Sequence, residues 1–511
     1  MAAQTPALET TSTGAPLMLG GYAALAESEW MGAAQASEVL EPLRVVAPSQ
    51  RAELARPRLA GLLTRELTIR EATIILMASF FVSALLGAVR QVLFNAQFGA
   101  GVQANAYYAA FRLPDTLFSL IAGGALSSAM VPVLLSATRE EGETAGWRLT
   151  NLVLTALLAA FVVVVLLGEL VAPAFVSHLL APGFDPATSR LTVTLTRLML
   201  IQPVILAVGS VATAVLNSRS QFVLTALSVA SHNVALILGI AASGAHPALG
   251  IYGPTLGVVG GAVLQVLILL PGLLGRAFRY RPAWDLRDPR LREVIRLLIP
   301  NGLAVGVTYI GYIVDTAFAS AAPQRAGLAA IHNAWLLVGL PIALLGQAVG
   351  QAAIPRLAAH AAALEWGSLR RTLGQSLATG LALVVPALLA LIYLGRPVIR
   401  ILFVHGQFHA AAGALTYAML TPYALALPAY VATEVLTRGL IALRDTRTPL
   451  ATNTVQLFGR AAIMALLIGR VGVVAIPIAF AVMAAVETGA LGIVLLLKVQ
   501  RRMSGQRMRL T

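Results

Sequence analysis

The chain has 511 residues, 58% hydrophobic and 11% charged, with a mean hydropathy of +0.81 and a formal net charge of +14. A soluble domain carries about 25% charged residues, so this composition excludes a water-soluble globular protein. The absence of cysteine also excludes disulfide frameworks and thiolate metal sites.

Residues 1–65 open without a basic residue before Arg44 and carry Glu9, Glu27, Glu29, Glu38 and Glu41. A signal peptide needs a basic start followed by an apolar core, so this segment reads as a flexible cytosolic tail. Beyond it the sequence turns apolar: the 56 residues from Ser220 to Gly275 hold no Asp, Glu, Lys or Arg. Crossing a bilayer takes about 20 apolar residues. Twelve spans follow, at 72–96, 104–137, 149–180, 191–217, 222–243, 250–275, 297–319, 327–355, 372–394, 412–437, 449–469 and 472–497.

The basic residues alternate with these spans. Six arginines precede the first, seven lie within 276–296 and five Lys or Arg follow the twelfth. The alternate loops hold only Arg190, Arg325, Arg396, Arg400 and Arg470. Excess Lys and Arg marks the cytoplasmic side, which places both termini there. The positive charge is thus a topology signal, and no nucleic acid is expected as a partner. The polar piece "RPAWDLRDPRLREVIR" (281–296) belongs to an amphipathic cytoplasmic linker, 276–296, fit to meet anionic lipid head groups. It separates an N-terminal half, 70–275, from a C-terminal half, 297–498, with a basic cytosolic tail at 499–511.

The halves repeat. "ALSSAMVPVL" (125–134) aligns with "AVGQAAIPRL" (348–357) at an offset of 223. "GFDPATSRLT" (183–192) aligns with "QFHAAAGALT" (407–416) at 224, and "LNSRSQF" (216–222) with "LRDTRTP" (443–449) at a similar offset. The expected fold is all-α: a polytopic membrane protein of about twelve transmembrane helices in two pseudo-symmetric six-helix bundles. Repeats running in the same direction are related by an axis along the membrane normal. They leave a substrate cleft at their interface and work by alternating access.

"FGAG" (98–101), "AFRLP" (110–114) and "GALSSAMVPVL" (124–134) resemble the first two helices of the MurJ/MviN lipid II flippases, within the superfamily that includes the MATE exporters. "PGF" (182–184), "LNS" (216–218), "IP" (354–355) and "ALRDTRTP" (442–449) extend the resemblance over about 70–500. It implies a bacterial cytoplasmic-membrane flippase with two six-helix halves around a cationic cavity. That cavity would capture a polyprenyl-pyrophosphate-linked peptidoglycan precursor, with membrane lipids and cell-wall synthesis proteins as partners. The alternatives in view are a flippase for another lipid-linked saccharide, a MATE-like exporter, and a transport-inactive scaffold.

Several family charges are replaced here. The arginine near the end of the first helix is present as Arg90, while other basic positions fall on Ala84, Phe118, Ser119 and Leu336. The acidic positions fall on Gln91, Asn105, Gly123 and Gly339. The family pattern also continues with two more helices beyond the point where this sequence ends.

The substrate-binding candidates are therefore Arg90, Arg112, Asn105 and Asp115. Arginine within a bilayer costs about 2.5–3.5 kcal/mol on insertion scales, so Arg90 and Arg112 should face a cavity or a carboxylate. Arg112 and Asp115 either grip substrate or pair with each other across one helical turn, beside a backbone hydrogen bond lost at Pro114. The resemblance makes Asp315 the cation-coupling candidate, for sodium or a proton, against a salt bridge with Arg460. No other cofactor is expected.

Glu434 and Arg438, at i and i+4, read as an ion pair, and His232 and Asn233 as packing or helix–helix hydrogen bonds. His405 and His409 share a spacing suited to two ligands but lack a third, so no catalytic or metal site is expected and the chain reads as no enzyme.

Overall fold

The computed structural model describes residues 69–121, 125–274, 278–324 and 326–510, and the expected tail 1–65 lies outside them. Among the described residues there is no strand. The described residues form fifteen α-helices: α1 (Ile69–Phe98), α2 (Val102–Ile121), α3 (Ala125–Glu141), α4 (Glu143–Phe175), α5 (Pro186–Met199), α6 (Ile201–Ser218), α7 (Phe222–Ala245) and α8 (Tyr252–Leu274) come first. Then follow α9 (Pro289–Ala321), α10 (Gly327–Pro341), α11 (Ala348–Ala362), α12 (Trp366–Leu402), α13 (Ala410–Ala442), α14 (Arg447–Val471) and α15 (Ala475–Leu510).

One of the twelve expected spans holds α2 and α3, and two are pairs of helices, α5 with α6 and α10 with α11. A π-helical turn at Ile342–Gln347 joins the last pair, and another at Val176–Leu180 ends α4. α2 stays helical through Pro114. Among the described residues nine stretches are long and apolar enough to cross a membrane, one of them, Arg447–Ser504, holding α14 and α15 as far as Ser504. Their outer faces carry Phe81, Leu170, Tyr393 and Leu466, each more than 70% exposed, as expected where the solvent is lipid. The protein is a multi-pass membrane protein.

The linker is shorter than the polar sequence implies. Residues 278–288 run without helix, and Asp288 caps α9 by accepting from the N–H groups of Arg290 and Leu291. The eight residues 289–296 are thus the first turns of α9. Residues 280–283 lie along α4: Tyr280 Oη shares a hydrogen bond with Thr155 Oγ1, and the N–H of Arg281 donates to Asn151. Arg148 pairs with Asp285 and Asp288, while Arg290 binds Glu140 and Glu141 at the end of α3.

Helix neighbours match between the halves. α1 packs on α7 as α9 packs on α14, and α2 on α5 as α10 on α13. α3 meets α4 as α11 meets α12, and the last two helices of each half pack together. Contacts between repeat mates give the direction of the axis. Asn105 and Ala329 are 224 positions apart, and the Ala329 N–H donates to Asn105 Oδ1 at 3.3 Å. Tyr108 and His332, also 224 apart, stack with centroids 4.4 Å apart.

A residue touches its own mate only beside the symmetry axis. Two such contacts, one helical turn apart, mean that α2 and α10 run side by side along that axis in the same direction. The repeat is parallel.

One apolar cluster spans both halves at the end holding loops 181–185 and 403–409, and includes Phe94, Tyr107, Trp335 and Tyr423. At the linker end each half has its own core. Leu126, Met130 and Phe161 lie in one, and Leu357, Trp366 and Leu440 in the other. The first turns of α9 join the former through Leu291 and Val294. The halves therefore share a core at the loop end and separate at the linker end.

Inside the N-terminal half, α7 and α8 approach backbone to backbone. A Cβ at Gly257 would stand 3.0 Å from Ala235 O and 3.1 Å from Leu236 Cα. Gly257→Leu should force these helices apart, at a cost of about 1–3 kcal/mol for overpacking. A lower Tm and loss of monodispersity in detergent would register it, whereas a wild-type melting curve would show that the contact is slack.

Candidate functional site

The seam between the halves carries two polar layers. The layer nearer the loop end is neutral. Gln91 Nε2 on α1 donates to Tyr108 Oη at 2.7 Å and to Asn333 Oδ1 at 2.8 Å. Asn95 Nδ2 donates to the same Asn333 oxygen at 2.9 Å, and His332 Nε2 lies 3.0 Å from Gln91 Oε1. Gln91, Asn95 and Asn333 are all buried. Two residues from α1 and two from α10 thus satisfy one another across the boundary. Buried amides need such partners, because leaving one unmet costs about 1–3 kcal/mol.

Two loop contacts close the same end. The Gly183 N–H, after α4, donates to Ser320 Oγ of α9 at 3.1 Å. The Gln407 N–H, after α12, donates to Ala96 O of α1 at 2.8 Å. Gly183 and Gln407 are 224 apart, and so are Ala96 and Ser320. Each half therefore latches onto the first helix of the other at equivalent positions. Gly406 adopts a φ of +55°, and a Cβ there would collide with the Ala96 backbone, so this latch needs glycine for both conformation and space.

The second layer, deeper along α2 and α9, is charged. Arg112 is buried; its Nε donates to Thr316 Oγ1 at 3.2 Å, and its guanidinium stands 5.5 Å from the Tyr312 ring centre. Asp115, also buried, lies near enough for its charge to act on Arg112. Arg460 Nε approaches Asp315 Oδ1 to 3.5 Å.

Arg90 stands apart from both layers. It is half-buried and donates from Nη1 to Asn233 Oδ1 on α7 at 3.0 Å, while Asn233 Nδ2 donates to Ser83 Oγ at 3.1 Å. The Asn105 oxygen is engaged by the first turn of α10, supplying a cap for a helix whose own N-cap is Ala326. Of the expected binding residues, Asn105 and Arg112 reach the second half at different depths, Asp115 lies near Arg112, and Arg90 faces α7 within its own half.

Glu434 and Arg438 form a fully buried ion pair, with Oε2 3.1 Å from Nη2. His405 and His409 are exposed. Among the described residues no three His, Cys, Asp or Glu gather as a metal site.

Gln91, Asn95, His332 and Asn333 were not singled out as a cluster from sequence. Polar residues at i and i+4 on α1 and at adjacent positions on α10 were the available signal. Pairing them requires knowing which helices face each other.

A family model described as "Lipid II flippase MurJ" matches residues 94–510. The chain is 32% identical over 382 residues to the lipid II flippase MurJ of Burkholderia cenocepacia, covering 72% of each chain. In fold it is similar to a lipid II flippase MurJ structure in an inward closed conformation, with a TM-score of 0.70 at 22% identity over 84% of this chain and 87% of that one. It is equally similar to an inward-facing MATE transporter, with a TM-score of 0.71 at 12% identity over 85% and 99%.

Asn333→Ala should loosen the loop-end seal by stranding Gln91 and Asn95. A single reporter, Ala104→Cys, serves well because Ala104 is fully buried there and the chain has no other cysteine. Its labelling by a membrane-impermeant maleimide should rise about tenfold in the Asn333→Ala background, the factor that 1.4 kcal/mol represents. Equal labelling in both backgrounds would mean that the amide layer does not hold this end closed.

Proposed function

The chain belongs to the lipid II flippase MurJ family, and from that premise we propose that it carries a polyprenyl-pyrophosphate-linked peptidoglycan precursor across the cytoplasmic membrane by alternating access. The observation that carries this reading is the seam itself, closed at one end, divided at the other and lined by buried arginine. The arginine-rich linker supports a cytoplasmic side for the divided end, and with it for both termini. This is the leaflet from which a precursor built on cytosolic nucleotides must be loaded.

In this mechanism the precursor's head group enters between the separate cores of the two halves. Its pyrophosphate is an anion that must leave water; this reading gives it Arg112 at the seam and, once released from Asn233, Arg90. A guanidinium can hold phosphate oxygens through two parallel hydrogen bonds. The Arg112 contact with Thr316 spans the two halves, so a phosphate that draws Arg112 away also loosens the seam.

A net hydrogen bond is worth about 0.5–1.5 kcal/mol, and the loop-end seal rests on a handful of them. Differential binding of a dianion can tip such a balance. The halves then rock, the head group is released outside, and the amide layer closes again. No bond in the substrate is made or broken.

The direct test is rescue of a strain depleted of its own lipid II flippase, together with a leaflet-accessibility assay for lipid II in proteoliposomes. Rescue with transfer supports the reading. Full expression with neither would reject lipid II in favour of another lipid-linked sugar.

Arg90→Ala and Arg112→Ala should each abolish rescue at matched expression. Arg90→Lys should rescue in part, since an ammonium keeps the charge and loses the bidentate geometry. Normal rescue by Arg90→Ala would remove Arg90 from the phosphate path.

A further inference from the structure

A small cavity walled by the C-terminal half, reaching Tyr312 at the seam, is lined by Asp315, Arg460, Trp335, Asn453, Gln456 and Tyr423, among others. The resemblance implies a sodium ion at Asp315, and the cavity tests that implication. A hard cation takes several oxygen ligands. Here the Asp315 carboxylate is already faced by the Arg460 guanidinium, 3.5 Å away and 7% exposed.

The guanidinium has room because α9 carries glycine at 311, where a Cβ would collide with Arg460 Nη2. Two other buried groups on the wall, Trp335 Nε1 and Asn453 Nδ2, are N–H donors without a hydrogen-bond partner. The wall is thus donor-rich and already holds one positive charge. Arg112 adds another near enough to act on Asp315. A sodium ion would meet one neutralised carboxylate, two nearby guanidinium groups and two inward N–H groups. It does not fit.

We propose that Arg460 is a tethered cation that occupies the place of a free coupling ion at Asp315. This protein therefore works without bound sodium, and removing the Arg460 side chain creates a monovalent-cation site. The side chains left around the gap supply hard ligands for such an ion: the Asp315 carboxylate, the Gln456 amide and the Asn453 amide, whose side chain turns its oxygen toward the ion once the Arg460 charge is gone. The binding half of this inference stands on the cavity alone, and its consequence for transport rests on the flippase reading.

The experiment compares the melting temperature of the purified full chain in NaCl and in N-methylglucamine chloride at equal ionic strength. Wild type and Arg460→Lys should melt at the same temperature in both salts. Arg460→Ala should be stabilised by sodium alone, with Tm rising as the logarithm of sodium concentration, the signature of a ligand that binds the folded state. Asp315→Asn added to Arg460→Ala should abolish that rise.

Sodium-dependent stabilisation of the wild type would overturn the proposal, and so would an Arg460→Ala protein indifferent to sodium. Should Arg460→Ala fail to fold, the wild-type comparison still decides, because a sodium response there is fatal. In proteoliposomes, replacing sodium on both sides should leave the wild-type rate unchanged. Loss of the rate without sodium would overturn the proposal, whereas absence of lipid II transfer in either salt would overturn the flippase reading and leave the melting result standing.

Discussion

A polar group inside a bilayer has no water to fall back on, so each one must be met by another part of the protein. That constraint turns the seam between the halves into the element on which the structure depends. Gln91 and Asn95 from α1 complete their hydrogen bonds here with Asn333 and His332, which arrive from α10. Asn105 accepts a backbone N–H that the first turn of α10 leaves open. The halves are held together by mutual need at one end, while at the other each keeps its own apolar core. Apolar surface facing lipid gains little by burial against another apolar surface. Nothing of comparable strength therefore draws the two cores together at the linker end.

The repeat explains why the seal is made of matched contacts. Gly183 with Ser320 and Gln407 with Ala96 are the same contact written twice around the axis. Asn105 with Ala329 and Tyr108 with His332 lie beside the axis itself. Symmetry of backbone did not preserve symmetry of charge. At the same offset, Gln91 stands opposite Asp315 and Arg112 opposite Leu336. One half contributes a neutral amide where the other has a carboxylate, and only that carboxylate needs a counter-ion.

The fold was legible because its signals are local. Each apolar run of about 20 residues reports its own span, and the arginine distribution reports which loops share a side. The offset near 224 then gave the parallel relation of the halves, and the axis contacts agree with it. Helix ends were less visible. "DPRLREVIR" reads as polar linker, yet Asp288 and Pro289 are a helix start, and α9 runs from there without a break to Ala321.

The site was legible only in part. Charges in oil stand out, so Arg112, Asp115 and Asp315 could be singled out by composition alone. The amide layer could not, because an Asn or Gln in an apolar helix carries no charge signal, and its meaning lies in a partner some 240 residues away. The two alternatives for Arg112, gripping substrate or pairing with Asp115, have the same origin. Whether it turns to Asp115 or to α9 depends on how close the second half comes, and the structure gives it Thr316 and Tyr312.

These two layers divide the work of a switch between different energies. A neutral hydrogen bond is worth about 0.5–1.5 kcal/mol net, so a seal of amides can break and re-form within each cycle at little cost. A buried ion pair behaves otherwise, since stripping one partner of its counter-charge costs about 3–5 kcal/mol. Asp315 with Arg460 lies inside one half, as does Glu434 with Arg438, and neither pair crosses the moving boundary. Arg112 crosses it with full charge and meets an aromatic ring and a hydroxyl of the opposite half. Those two buried pairs sit where nothing slides, while the ring and hydroxyl that meet Arg112 at the sliding surface are contacts that a phosphate can outbid.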